Sequence, residues 1–225
     1  MIDQARVRAQ IAALGNEIGP DTLAAAQALF DFEQRALAQK VRPAATDLAY
    51  GDHPRQKLDV YRPLGAHESV PVLVWVHGGG FLRGDKGDAE RWPNAHAGRF
   101  AAAAGFLGIV INYRLAPEYQ WPSGGEDVTS VVRWLKDHAF EYGGDATRIV
   151  LVGTSAGATH VATHIQLEPS TPVRGAVMLS GLYGIEPFTD VRDVSYYGDD
   201  ASLHADRAPL SALVETTVPL FAACS

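Results

Sequence analysis

This sequence has one cysteine, no excess of positive charge and no long hydrophobic run. Cys224 is the single cysteine, which excludes an internal disulfide framework and a cysteine-based metal site. The formal net charge of −7 argues against nucleic acid or an anionic membrane surface as a partner, because both require clustered positive charge. No stretch approaches the ~18 uninterrupted apolar residues that a membrane span needs. The chain also begins without a secretory signal pattern, so the predicted location is the cytoplasm.

The composition that remains is that of a globular α/β protein. Hydrophobic residues make up 47% and charged residues 20% of the 225 residues, and this length fits one α/β domain. Unbroken apolar runs recur along the chain, as expected for strands of a parallel sheet that is covered on both faces. The runs lie at 70–76, 106–112, 148–153, 174–180 and 217–223, with shorter candidate strands at 46–50 and 57–61. Helical periodicity between them predicts a doubly wound, mostly parallel sheet.

Two segments fall outside this alternation of strands and helices. Residues 1–45 have helical spacing broken by a Gly-Pro pair, and the second helix is expected to turn Leu23 towards the core. Two interpretations of this arm stay open, part of a lid over a site or a helix packed at the domain edge. Residues 46–225 form the predicted core, within which 181–208 lack clear periodicity and are expected to form an excursion above the sheet.

One helix start carries a recognisable capping signal. The four residues from Ser123 to Glu126 match the capping box, in which the first and fourth side chains bond to free backbone N–H groups. A helix is therefore expected to begin here, and the apolar spacing places Val128, Val131 and Leu135 on its buried face.

The most informative stretch is a buried strand that runs into G-x-S-x-G and then into a helical pattern. Gly153, Ser155 and Gly157 occupy the fixed positions of the motif. A serine on such a sharp turn has a strained backbone, and its neighbours two residues away must lack bulk so that strand and helix can approach. The turn exposes the hydroxyl and points the N–H of Ala156 and the start of the helix at a reacting carbonyl. Ser155 is therefore the predicted nucleophile.

A glycine-rich loop follows another predicted strand, with His77 before three consecutive glycines and Phe81 after them. Glycines expose backbone N–H groups with no side chain in the way, which suits the binding of a tetrahedral oxyanion. A flexible turn and a phosphate-binding loop are the alternatives, but the G-x-x-x-x-G-K-[ST] pattern of the latter is absent. Two such motifs, each after its own strand, favour a serine hydrolase.

Three motifs together resemble the hormone-sensitive-lipase-like carboxylesterases of the α/β-hydrolase superfamily: HGGGF at 77–81, YRLAPE at 113–118 and GTSAG at 153–157. The resemblance covers roughly residues 46–225 and implies the α/β-hydrolase fold. It also implies an oxyanion hole formed by the N–H groups of Gly79, Gly80 and Ala156. The prediction includes neither a metal nor a cofactor.

The resemblance assigns roles outside the oxyanion hole as well. In that family the histidine of HGGG, here His77, shapes the loop and is not the base, and the stretch at 113–118 is structural. Thr154 stands where an aspartate is more frequent in the family, and this departure puts the subgroup in doubt.

A nucleophilic serine needs a base and an orienting carboxylate, which in α/β-hydrolases follow it in the order Ser, Asp or Glu, His. The resemblance implies an acid just after the strand at 217–223 and a histidine further on, whereas the chain ends at Ser225. We therefore expect a C-terminally truncated hydrolase core with an incomplete sheet and little esterase activity of its own. His204, near acidic residues of the excursion, is a weak internal candidate for the base.

His160 and His164 have i, i+4 spacing on the helix that begins at the nucleophile. Such a pair can bind a metal, but the H-E-x-x-H pattern that normally accompanies it is absent. No metal site is therefore predicted here.

The predicted function is that of a serine carboxylic ester hydrolase, which forms an acyl-enzyme with a small-molecule ester of small or medium acyl size. An arylformamidase-type amidase of the same fold is one alternative, ranked lower because Phe81 follows HGGG where that group more often carries a tryptophan after HGG-x. A non-catalytic ligand receptor on a hydrolase scaffold, as in plant gibberellin receptors, is the other. Oligomeric state does not follow from the sequence.

Overall fold

The computed structural model describes residues 4–15, 19–65, 69–88, 90–184 and 188–224. Its centre is one sheet, in which the seven strands of the described chain follow the order β1-β2-β4-β3-β5-β6-β7. The strands are β1 (Ala45–Ala49), β2 (Lys57–Tyr61), β3 (Val70–Val76), β4 (Leu107–Asn112), β5 (Gly144–Thr154), β6 (Gly175–Leu179) and β7 (Leu220–Ala223).

Strand direction divides the sheet into two parts. The pairs β1–β2 and β2–β4 are antiparallel, whereas β4, β3, β5, β6 and β7 are all parallel to one another. Every residue of the interior strand β4 is buried, as its unbroken apolar run indicated. The prediction of a mostly parallel, doubly wound sheet is therefore confirmed.

Helices cover both faces of the sheet. They are α1 (Gln4–Ala13), α2 (Pro20–Lys40), α3 (Ala95–Ala103), α4 (Ser123–His138), α5 (Ala156–Leu167), α6 (Val191–Tyr197), α7 (His204–Arg207) and α8 (Leu210–Glu215). On one face, α4 and α5 pack on Val74 and Ile109 in the main core. On the other face, α3 and the end of α2 pack on Val110 and Trp75 in a smaller cluster.

The capping-box prediction at Ser123 is wrong, although a helix does begin at this residue. The N-cap is Pro122, and no side chain caps the helix. The Ser123 hydroxyl donates instead to the carbonyl oxygen of Tyr119 at 2.9 Å, and Glu126 forms an ion pair with Arg114 at 3.1 Å. Both side chains of the motif are thus occupied by partners from the preceding loop.

The N-terminal arm is less deeply packed than the periodicity suggested. Helix α2 has no fully buried residue, and Leu23, expected to face the core, is 53% exposed. Apolar contact with the domain comes from the end of the arm, where Val41 is buried and Leu37 is partly buried against α3 and the sheet. Further up α2, Asp31 accepts a hydrogen bond from the indole N–H of Trp92 at 3.0 Å. The prediction for Leu23 is therefore wrong, because only the last turn of α2 reaches the apolar surface.

The opposite edge of the sheet ends in β7, whose four residues are exposed, with Phe221 at 60%. Within the described ranges, no helix has the length and apolar character needed to span a bilayer. The cytoplasmic location stays a prediction.

Candidate active site

Ser155 lies on the turn between β5 and α5, where the sequence placed its nucleophile. Its backbone has φ 51° and ψ −125°, a left-handed conformation that is strained for a residue with a side chain. The turn is held by its N–H, which donates to the carbonyl oxygen of Leu179 at 2.8 Å. The residue is exposed, and its hydroxyl has no hydrogen-bond partner among the described residues. An accessible and uncommitted hydroxyl is what a nucleophile requires.

The flanking glycines are needed because backbone segments meet there. A Cβ on Gly153 would lie 2.5 Å from the carbonyl oxygen of Gly157 and 2.6 Å from the N atom of Ala158. A Cβ on Gly157 would lie under 3.0 Å from the carbonyl oxygens of Val76 and His77. These neighbours are main-chain atoms and cannot rotate away, so both positions exclude a side chain.

The glycine loop lies directly beside the nucleophile turn. Strands β3 and β5 are adjacent and parallel with Val76 opposite Gly153, so the chain leaves both strands at the same edge. A Cβ on Gly78 would stand 3.2 Å from the Cβ of Ser155. Gly79 and Gly80 follow with φ of 144° and 59°, a backbone that residues with side chains rarely adopt. The fold thus brings Ser155 and the three glycines together.

His77 is fixed as a neutral, buried support of this loop. Burial lowers the pKa of its imidazole to about 4. Its Nδ1–H donates to the carbonyl oxygen of Gly78 at 2.7 Å, and its ring stacks on Tyr113 with centroids 4.3 Å apart. The Tyr113 hydroxyl donates to the His77 carbonyl oxygen at 2.9 Å. A histidine held in this way sets the path of the loop.

The YRLAPE stretch anchors the same region through a buried carboxylate. Asp127, whose side chain is 0% exposed, accepts from the backbone N–H and the Nε–H of Arg114 at 2.7 and 2.8 Å. It also accepts from the amide of Gln56 at 2.7 Å. Nearby, Arg55 donates to the carbonyl oxygens of Tyr113 and Gly84. Gln56 and Arg55 were not singled out from the sequence, because no motif links them to residues so distant along the chain.

Residues 188–208 of the predicted excursion fold into short helices beside the glycine loop. The ring of Tyr196 on α6 stacks on Phe81 with centroids 4.4 Å apart and planes at 3°. The backbone N–H of Trp121 donates to the Tyr196 carbonyl oxygen at 2.8 Å, which ties α6 to the body of the domain. We call the buried cluster around this stacking contact the aromatic roof. Its buried members are Phe81, Ala116, Ala156, Phe188, Tyr196, Tyr197 and Ala208.

His204 has a structural position in this roof. It is 1% exposed. Its Nδ1 accepts the N–H of Phe188 at 3.0 Å, and its Nε2–H donates to the carbonyl oxygen of Gly198 at 2.8 Å. Both ring nitrogens are therefore occupied by the backbone of the excursion, and neither is free to take a proton from Ser155.

The histidine pair on α5 does not converge on one point. His160 is fully buried among Phe81, Tyr113 and Tyr196, and burial lowers its pKa to about 3. His164 instead lies between two threonine hydroxyls, each 2.8 Å from a ring nitrogen. Within the described residues no group of three or more His, Cys, Asp or Glu side chains could hold a metal ion.

Comparisons with known proteins place this site in a family. The BD-FAE family profile matches residues 58–171, a span that includes both motifs of the site. The chain belongs to this family. Among curated relatives of this BD-FAE chain, phenmedipham hydrolase of Pseudarthrobacter oxydans is 34% identical over 164 residues, 67% of this chain and 32% of that protein. Carboxylesterase NlhH of Mycobacterium tuberculosis is 37% identical over 108 residues, 48% of this chain and 33% of that protein.

Solved structures agree on the fold of this BD-FAE chain. Esterase B from Lactobacillus rhamnosis, crystallised with a tributyrin phosphonate inhibitor, superposes with a TM-score of 0.66 at 19% identity, over 98% of this chain and 75% of that one. The α/β-hydrolase fold and the relationship to hormone-sensitive-lipase-like esterases are thereby confirmed. The chain spans about a third of the length of the curated relatives it matches.

Proposed function

We propose that Ser155 is the nucleophile of a carboxylic ester hydrolase, which works through an acyl-enzyme on esters with small or medium acyl groups. One juxtaposition carries the proposal: an exposed serine on a strained turn stands beside a loop of glycines with left-handed backbone. The names of the relatives, which include a carboxylesterase, support the same reaction class.

The chemistry follows from what the two segments can supply. The Ser155 oxygen attacks the ester carbonyl carbon, and the carbonyl oxygen takes up the negative charge of a tetrahedral intermediate. In our proposal the N–H groups of Gly79, Gly80 and Ala156 donate to this oxyanion. Collapse of the intermediate expels the alcohol and leaves an ester between Ser155 and the acyl group, which water then hydrolyses. Loss of a single oxyanion donor typically raises the activation barrier by about 3–4 kcal/mol.

We infer that the proton acceptor for Ser155 lies outside the described residues. Of the histidines closest to the loop, His77 and His160 are buried with lowered pKa values, and His204 has both nitrogens bonded to backbone. We infer that a histidine and its carboxylate partner, neither of them among the described residues, complete the triad.

The aromatic roof supports a limit on substrate size. Phe81, Tyr196 and Tyr197 fill the space over the glycine loop and are each at most 3% exposed. Phe81 and Tyr196 are stacked and Tyr197 meets both rings edge to face, so a long acyl chain at this point would have to displace buried aromatic surface. Short and medium acyl groups are therefore the proposed substrates.

Covalent labelling and ester hydrolysis test the proposal together. The native protein should react once with a fluorophosphonate probe, with the modified peptide containing Ser155, and should hydrolyse p-nitrophenyl acetate and butyrate faster than the laurate ester. Ser155→Ala should lose both signals, whereas Ser130→Ala, a serine on the exposed side of α4, should keep them.

Each contrary result has a distinct meaning. Labelling at another serine, or full activity of Ser155→Ala, would overturn the assignment of the nucleophile. A native protein that stays unlabelled and inactive would support the receptor alternative, and a preference for N-formyl arylamines over esters would support the amidase.

A further inference from the structure

A groove lined by arginines lies far along the chain from the proposed active-site motifs. It has a volume of about 510 Å³ and runs between the end of α2 and α3. Its lining residues are Arg35, Ala38, Gln39, Arg42, Pro43 and Arg99. None of these six carries a negative charge, although the whole chain has a net charge of −7. The groove is therefore a region with three guanidinium groups on a chain whose net charge is negative.

Arg99 is the most unusual member of this groove because it is 1% exposed. Its Nη2 donates to the carbonyl oxygen of Asp88 at 2.8 Å, and its guanidinium lies 5.8 Å from the ring of Tyr61. Its Nε and Nη1 have no hydrogen-bond partner, and it forms no ion pair within the described part of the chain. Buried charges in proteins are normally paired, because an unpaired one loses its hydration without compensation.

The acidic groups nearest in sequence and space are already committed. The Asp88 carboxylate pairs with Arg91 at 2.7 Å, and backbone N–H groups bonded to it lower its pKa to about 2. Asp31 pairs with Arg35 at 2.6 Å. Arg42 is exposed and has no partner among the residues that the structure describes. The groove thus retains positive charge on Arg42 and Arg99.

We propose that this groove binds a phosphate group, which supplies the counter-charge that Arg99 lacks. Guanidinium groups suit phosphate because their planar N–H donors match two of its oxygens at once. Arg42, Arg35 and the Gln39 amide are placed to donate directly, with the buried charge of Arg99 beneath them. The C-terminal end of α2 carries about half a negative charge, which repels an anion. The two positive charges of the unpaired guanidiniums outweigh this repulsion.

The position of the groove gives the phosphate a structural consequence. Arg35 belongs to α2 and Arg42 follows it directly, whereas Arg99 belongs to α3. A bound phosphate therefore links the N-terminal arm to the body of the domain, at the place where Val41 already attaches it. Binding should slow the opening of the arm.

Binding to the native protein tests the proposal without any measurement of activity. Calorimetry and thermal unfolding should show saturable binding of inorganic phosphate, and of glycerol 3-phosphate if the ligand is a phosphate monoester. Acetate should bind at least ~10-fold more weakly, since it offers only two oxygens and one charge. Amide hydrogen exchange in α2 should slow when phosphate is present.

Variants separate a site from a general effect of charge. Arg42→Gln should raise the phosphate Kd at least ~10-fold, as expected for the loss of one charge-assisted contact. Arg133→Gln, an exposed arginine on α4 with a side chain 67% exposed, should leave it unchanged. Arg99→Gln should abolish binding if it folds, and Arg42→Gln decides the question if it does not. Equal stabilisation by chloride at matched ionic strength, or an unchanged Kd in Arg42→Gln, would overturn the proposal.

Discussion

The nucleophile turn and the N-terminal arm are attached to the same sheet in different ways. At the turn, main-chain atoms meet main-chain atoms, as where Gly157 lies against the carbonyl oxygens of Val76 and His77. In the arm, helix α2 has no fully buried residue, and Phe32 is 81% exposed. Attachment there depends on the few side chains around Val41 and on a hydrogen bond from the Trp92 indole N–H to Asp31.

The difference matters because backbone contacts and side-chain contacts respond differently to change. Side chains can adopt other rotamers, and a loosely packed helix can shift to accommodate a substitution. A backbone segment that is packed on two sides cannot shift to accommodate a substitution. The turn should therefore be intolerant of small additions and locked in one geometry, whereas the arm should tolerate changes and open independently of the core.

The largest expected effect is that of one methyl group at the turn. Gly157→Ala places a Cβ under 3.0 Å from two carbonyl oxygens, so β3 and α5 must separate. We expect a loss of about 3 kcal/mol or more in the free energy of unfolding, at the upper end for overpacked sites. Urea unfolding followed by circular dichroism measures it.

Gly184→Ala is the matched control for this substitution. No atom of the described residues lies within 4 Å of a Cβ at Gly184, so the free energy of unfolding should change by less than about 0.5 kcal/mol. If the two alanine variants were equally stable, the backbone contact at Gly157 would not be the constraint that makes the turn rigid.

Acid should weaken the region of the turn next. Burial lowers the pKa of His77 to about 4 and that of His160 to about 3, from an ordinary value of 6.5. Below pH 6.5 both imidazoles become protonated in the unfolded chain, whereas they stay neutral in the folded chain. The stabilisation is therefore complete above about pH 6.5 and is lost as the pH falls towards the folded-state values, by about 1.4 kcal/mol per pH unit for each histidine.

Urea unfolding at pH 7.5, 6.5 and 5.5 measures this dependence. His160→Gln should reduce the stability lost between pH 6.5 and 5.5 by about 1 kcal/mol, because the proton uptake of this one histidine on unfolding disappears. His138→Gln, at an exposed position on α4, should leave the slope as it is. A slope that is the same in all three proteins would mean that His160 is accessible to protons in the fold.

The turn could be predicted from the sequence because its constraints are local. Gly153, Ser155 and Gly157 are close along the chain, and a buried strand before them and a helix after them leave one steric solution. The glycine loop followed from similar reasoning. That the two segments lie side by side depends on the adjacency of β3 and β5, a strand order that the sequence analysis did not predict.

Other parts of the site depend on partners distant in sequence, and no local pattern indicates them. Asp127 is bonded to Gln56, and Tyr196 stacks on Phe81, across separations that periodicity cannot connect. The capping box at Ser123 failed for the same reason, since Arg114 competes for Glu126. Local signals predicted the strands and the turn, whereas long-range side-chain partners decided the supports and the roof.

The smallest expected effect concerns the arm. Val41→Ala removes apolar surface from a residue that is 1% exposed, and at about 0.8 kcal/mol per buried CH₂ group it should lower the free energy of unfolding by about 1–2 kcal/mol. Phe32→Ala truncates a larger side chain that is 81% exposed, so it should change that free energy by less than about 0.5 kcal/mol. Amide hydrogen exchange should locate the Val41→Ala effect in α2, with exchange in β3 and α5 nearly unchanged. If protection against amide exchange fell equally in α2 and in α5, the arm and the turn would open as one unit. The two regions would then differ in the kind of contact that attaches them but not in their local stability.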